Sequence, residues 1–421
     1  MEKKKVLIVG VGVQGSTVAK CIDGDSAISE IICADRDEKA VNELVATLKK
    51  GKGVVIDCTD KERVAALAKG VDLVVNALPI PMMMPAMEAA LEAKTNCLDF
   101  NSPVSDFEGD IMKTYKDFFE KYDKAFKEAG RTYFGGAGAA PGLVNVIARY
   151  TMRFLDSCDT IIMLYNEGLR TKRFIPFWWC PPTALEGMEM PGIAYMNGEL
   201  VITKQYSGVL YRNWPELGRE TAFYEHAHPE PITIGCFSET HFKGVKNAHF
   251  KYGGAGMDFA KPLYDLGLLS KKPVEIDGAY VIPYKLIEKH LPPAPKSKEE
   301  IKAIIDEGII EENSAVVIES TGMKNGRKVL VEAHVFSPGL EESFEKIGFS
   351  SEMYQTGMSG ALFTRMILGG DIQRTGAVTA DMLSDDEVDC FLRYAEKEGH
   401  IVEVSIRQPI KEVHEVLPYV D

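Results

Sequence analysis

Gly10-Val11-Gly12-Val13-Gln14-Gly15 is the stretch whose residue types and spacing most plainly imply chemistry. It follows the apolar run Val6–Val9 and opens a helix-like segment at Ser16. In such a pattern the first glycine permits a tight turn and the second lets a pyrophosphate approach the backbone. The third brings helix and strand together. Free N–H groups at the helix start then face phosphate oxygens. Asp35 lies about 20 residues beyond Gly15, where a carboxylate binds the adenine ribose hydroxyls of a dinucleotide. Its charge repels an added ribose phosphate, so NAD is the expected cofactor. Arg36, directly after it, keeps NADP as the second choice.

Positioning such a turn takes a parallel sheet. Candidate strands are Lys5–Val9, Glu30–Ala34, Gly53–Ile56, Leu73–Asn76, Asn96–Asp99 and Thr132–Phe134, with helix-like stretches between them. Continuous apolar runs joined by crossovers of this length describe a doubly wound α/β fold. Ligands of open α/β sheets lie beyond the carboxyl ends of the strands. Asp57-Cys58 is therefore expected near adenine, and Asn76-Ala77-Leu78-Pro79 along the pyrophosphate and nicotinamide ribose. Asp99-Phe100-Asn101 is expected at the nicotinamide.

After Gly142 the texture changes to more strand-like runs and more prolines. Ala315–Thr321 and Lys328–Val335 flank Asn325-Gly326, a hairpin signal. Ser297 to Glu300 and Ser384 to Glu387 read as capping boxes. Gly357, Gly360 and Ala361 suit close helix packing. The expected division is a Rossmann dinucleotide-binding domain over residues 1–142 and an α+β substrate and dimerisation domain over 143–350. A helical segment over 351–421 should return to the first domain.

The 421 residues are 45% hydrophobic and 26% charged, an average globular mix. A net charge of −14 argues against nucleic acid as a partner. No run approaches the roughly 18 apolar residues of a membrane span, and the amino end lacks signal-peptide anatomy, so a cytoplasmic location is expected. The eight cysteines include no CxxC pair, and no metal site is indicated.

Three motifs together resemble the saccharopine dehydrogenase-like family: Val9 to Gly15, Val74-Val-Asn-Ala-Leu-Pro79, and Gly138-Ala-Ala-Pro141-Gly142-Leu-Val-Asn145. Ala140 before Pro141-Gly142 resembles the lysine 6-dehydrogenase branch, as do Leu185-Glu186-Gly187 and Gly376-Ala-Val378. The resemblance implies the three-part plan above, a homodimer, and oxidation of a C–N bond in an amino acid such as lysine. Hydride transfer would pass through an imine, and Pro141-Gly142 would lie by the cofactor. A second reading is reductive condensation to saccharopine or a carboxylated polyamine. A third is a dinucleotide-binding protein without catalysis.

Amine oxidation needs a proton acceptor. Asp99 is the first candidate, followed by His226 and His228 and then Glu167. A substrate carboxylate calls for an arginine fork, for which Arg170 and Arg173 are placed near Trp178, Trp179 and Tyr224 as pocket-lining residues.

Overall fold

Strands that are apolar along their whole length fit only where helices cover both faces. In the computed structural model, which describes residues 3–101 and 109–408, such strands form the middle of a seven-stranded parallel sheet. Its members are β1 (Lys4–Val9), β2 (Ile28–Asp35), β3 (Gly51–Val55), β4 (Leu73–Asn76), β5 (Asn96–Asp99), β6 (Thr132–Gly135) and the late strand Gly376–Thr379. They run in the order β3-β2-β1-β4-β5-β6, with Gly376–Thr379 parallel to β6 at the edge. Along β1, Val6 and Ile8 enter one core and Leu7 and Val9 the other, the two-residue period of a strand. The order reverses between β1 and β4, which opens a crevice at their carboxyl ends.

A second, nine-stranded mixed sheet follows. At its centre Ser157–Glu167 runs parallel to Asn247–Gly254 and antiparallel to Ala315–Lys324. Ala315–Lys324 turns at Asn325-Gly326 into Arg327–Phe336. Both turn residues have positive φ, 52° and 73°, as a two-residue hairpin turn requires. Ile401–Arg407 pairs outside Arg327–Phe336. The carboxyl-terminal stretch thus adds one strand to each sheet.

Helix Ser351–Gly369 packs against helix Val13–Ile22 through small residues. A Cβ on Gly357 would stand 2.3 Å from Thr17, and one on Gly360 would stand 2.5 Å from Phe100. Ser384 and Glu387 form a reciprocal capping box, opening helix Asp385–Lys397. Ser297 caps its helix on Glu300, whose carboxylate turns instead to the Lys296 N–H. Among the described residues no helix is long and apolar enough to cross a membrane.

Candidate active site

The glycine turn has the geometry its spacing predicts. Gly10 sits at φ 90°, and a Cβ there would press on the Ala77 carbonyl at 3.0 Å. At Gly12 the space a Cβ would take is open, with no atom within 4 Å. A Cβ on Gly15 would lie 2.0 Å from the Gly10 carbonyl oxygen. Helix Val13–Ile22 therefore starts close under the turn, with no side chain capping its N–H groups. Asp35 ends β2 and accepts the Val11 N–H at 2.9 Å and the Asp37 N–H at 3.0 Å. An open approach, free N–H groups and a carboxylate fixed alongside fit a dinucleotide.

Around this turn, Gln14 lies half-buried in the first helical turn and Arg36 is exposed beyond Asp35. Asp57 is exposed, and hydrogen bonds from Thr59 hold its carboxyl below the usual range, helped by Arg36 and Arg63. Cys58 is buried with its Sγ on the Ala34 carbonyl, so it packs under the adenine end rather than facing it. Asn76 is also fully buried, donating to the Met83 carbonyl at 2.9 Å. That bond leaves the Ala77-Leu78-Pro79 backbone to border the crevice.

The Gly138–Gly142 loop closes on itself. Gly142 has φ 135°, and a Cβ there would stand 2.0 Å from the Gly138 oxygen. Asn145 accepts the Gly142 N–H at 2.9 Å and donates to buried Asp381 at 2.8 Å. Asp381 also accepts the hydroxyls of Thr233 at 3.2 Å and Thr379 at 3.0 Å. Burial pushes its carboxyl up to about 6. Pro141, Asn145, Thr233 and Asp381 line a small cleft with Tyr115 and Tyr133.

Asp99 stands at the carboxyl end of β5, as expected, with its side chain enclosed. It is sealed at 0% exposure, accepting the Tyr133 hydroxyl at 2.9 Å and the Asn101 N–H at 3.2 Å. Burial pushes its carboxyl up to about 7, with those hydrogen bonds pulling against it. A carboxyl so enclosed offers a substrate no direct approach, while Tyr133, which it holds, lines the cleft. Its bond with Tyr133 ties β5 to β6 at their carboxyl ends.

The titratable groups that do gather lie at the end of the second sheet. Glu167 ends its strand beside Tyr252 and Trp179, and burial pushes its carboxyl up to about 7 against those neighbours and His228. Tyr252 stacks on Tyr165 at 6.2 Å and on His226 at 5.1 Å. Burial, then His228, pushes the His226 imidazole down to about 3, so it is neutral at working pH. His228 stacks on Phe250 at 4.1 Å, and its Nδ1 lies 2.5 Å from Glu230 Oε2. Glu230 is completely buried and starts the helix that carries Thr233. Glu352, in the first turn of Ser351–Gly369, is pushed up to about 8 by burial and by Glu167. Thr356, one turn on, lies 3.2 Å from where a Cβ on Gly138 would stand, which links this cluster to the cofactor loop.

Glu167, Trp179, His226 and His228 thus come together, while other expected residues do not join them. Arg173 grips Glu307 with two hydrogen bonds at 2.7 and 2.5 Å. Arg170 pairs with Asp258, and with Glu311 at 3.3 Å. Both guanidinium groups are already neutralised. Trp178 fills a satellite core with Ile301, Ile304 and Leu340. Tyr224 meets Tyr206 edge-on at 5.5 Å. Sequence reasoning missed Glu230, Glu352 and Asp381. Glu230 had a local signal, standing two residues after His228. Glu352 had none, because an acid in a first helical turn is ordinary.

Fold and site together define a dinucleotide-dependent oxidoreductase with a second sheet closing over the cofactor end. Residues 6–134 match the family described as the saccharopine dehydrogenase NADP-binding domain. The carboxynorspermidine synthase of Vibrio alginolyticus is 30% identical over 306 residues, covering 68% of this chain and 72% of that protein. The carboxyaminopropylagmatine dehydrogenase of a Synechocystis species is 22% identical over 400 residues, 91% and 93% of the two chains. The fold matches that of saccharopine dehydrogenase (L-Glu forming) from Saccharomyces cerevisiae at TM-score 0.67 and 16% identity, over 96% of this chain and 100% of that one. The chain belongs to the saccharopine dehydrogenase-like family of oxidoreductases.

Proposed function

We propose that the protein joins an amine to a carbonyl compound and reduces the imine between them to a secondary amine. The names of its relatives, carboxylated polyamine synthases and dehydrogenases, support this reading over oxidation of lysine alone. The observation that carries the chemistry is the His228–Glu230 pair. In the reaction the amine nitrogen attacks the carbonyl carbon, water leaves, and the imine carbon gains a hydride while its nitrogen gains a proton. A reduced dinucleotide held through its pyrophosphate at the glycine turn would supply that hydride. Asp35, by charge, favours NAD(H).

The attacking nitrogen must lose a proton, and the departing oxygen must gain one. His228 is the group we assign to both transfers, as a positioned acid–base side chain. Glu230 fixes its Nδ1 side, leaving Nε2 without a hydrogen bond among the described residues. The loop held by Asn145 and Asp381 sets the floor of the site. His228→Gln should lower turnover by about 10²–10⁴-fold, the usual contribution of a positioned acid–base group. Cofactor binding, measured by nicotinamide fluorescence, should be kept. Undiminished turnover in that variant would remove His228 from the chemistry.

A further inference from the structure

Three stretches far apart in sequence meet at Asp381. It follows the edge strand Gly376–Thr379, is 2% exposed, and accepts hydrogen bonds from Asn145, Thr233 and Thr379. Asn145 belongs to helix Leu143–Thr151 and also accepts the Gly142 N–H of the cofactor loop. Thr233 belongs to helix Glu230–Cys236. Among the described residues all three donors are uncharged. An apolar side chain would fill the same space without the several kcal/mol that burying a carboxylate costs. What the carboxylate adds is about four acceptor positions on two oxygens, enough to tie several segments at one point.

The tie reaches His228. The carbonyl of Pro229, the next residue, accepts the Ile232 N–H at 2.9 Å and the Thr233 N–H at 3.0 Å. The Thr233 hydroxyl also lies 3.2 Å from the Glu230 carbonyl oxygen, and the Glu230 carboxylate holds His228 Nδ1 at 2.5 Å. Wherever Asp381 places Thr233, the first turn of the helix and His228 follow. The same three stretches meet again one turn farther along Leu143–Thr151. There Arg149 donates to the Leu383 carbonyl at 3.2 Å and to the His241 carbonyl.

We propose that Asp381 is a positioning residue. It sets the distance between the cofactor loop, held through Asn145, and His228, held through Thr233. Hydride arrives from the cofactor and protons from His228, at atoms bonded to one another, so the two sides must be in register. A displacement of about 1 Å in such an arrangement costs on the order of 100-fold in rate. Dinucleotide binding against the loop is therefore felt at helix Glu230–Cys236. This role rests on the assignment of the proton transfers to His228.

The test is hydrogen–deuterium exchange of the full chain by mass spectrometry, with and without saturating NADH or NADPH. In the parent, the dinucleotide should slow amide exchange in helix Glu230–Cys236 by about fivefold or more, the low end of coupling between two sites. Thr233→Val keeps the side chain's shape and cuts only the link to Asp381. It should bind the dinucleotide as the parent does and lose the slowing; Asp381→Ala should lose it too. With putrescine and a carboxylate-bearing aldehyde, Thr233→Val should lower kcat about ten- to a hundredfold and leave the cofactor KM unchanged. In the His228→Gln background the same substitution should alter kcat by less than about twofold, since residues acting as a unit are not additive. No slowing in the parent, equal slowing in Thr233→Val, or an undiminished effect in the His228→Gln background would overturn the positioning role. Slowing that depends on Thr233, in a protein whose His228→Gln variant turns over at the parental rate, would keep the link and sink the proton role of His228.

Discussion

Asp35 accepts the Val11 and Asp37 N–H groups, and this holds its carboxylate against the turn where the adenosine ribose belongs. Replacing it with serine removes a charged acceptor worth roughly 1.5–3 kcal/mol. Asp35→Ser should raise the KM for NADH about tenfold or more and narrow its advantage over NADPH, with Arg36 then free to meet the added phosphate. Steady-state kinetics with both cofactors check this; an unchanged ratio would mean that Asp35 does not discriminate. The glycine turn and Asp35 were legible in the sequence because their spacing is set by backbone geometry. Asp99 was placed correctly at a strand end, but sequence does not show enclosure. Only the fold reveals that Tyr133 and Asn101 occupy its carboxylate. The ion pairs of Arg170 and Arg173 left no local sign either, since their partners Asp258, Glu307 and Glu311 are distant in the chain.

Among the elements, helix Ser351–Gly369 carries Glu352 toward the site while Gly357 and Gly360 let it lie tight on the cofactor-binding helix. A side chain at Gly357 would collide with Thr17. Gly357→Val should therefore destabilise the protein by roughly 1–3 kcal/mol, the cost of overpacking. It should also weaken cofactor binding, because helix Val13–Ile22 must shift. Urea unfolding and a cofactor titration read the two effects, and a variant as stable as the parent would show that the helices can part without strain. β4 and β5 were legible to the residue, as short segments with apolar centres between turn signals. The Asn325-Gly326 hairpin was legible too, from its turn chemistry. The pairing of Ser157–Glu167 with Asn247–Gly254 was not, because parallel register across an intervening stretch leaves no local trace. Without it, Glu167, Tyr252 and His226 could not be brought to one place.

At the scale of the molecule, Asp99, Glu167, Glu352 and Asp381 have carboxyls raised by burial to about 7, 7, 8 and 6. A raised carboxyl contributes stability that is complete below its unfolded pKa and is lost as pH climbs through the folded one. His226 and His400 are depressed to about 3 and 4, so they act in the opposite sense up to about pH 6.5. The net loss is thus read above that point. Unfolding free energy should fall between about pH 6.5 and 8, on the order of 1 kcal/mol per pH unit for a group titrating there. Glu352→Gln should flatten that slope and be more stable than the parent at pH 8, and an unaltered slope would mean that Glu352 is not buried as a neutral acid. The central claim is tested most directly by following the loss of reduced-nicotinamide absorbance. The purified protein is supplied with NADH or NADPH, a diamine such as putrescine, and a panel of aldehydes and keto acids that carry a carboxylate. Oxidation of the cofactor that needs both carbon substrates, with a secondary amine as product, is the expected result. Absorbance growing with lysine and an oxidised cofactor, with silence in the condensing direction, would contradict it.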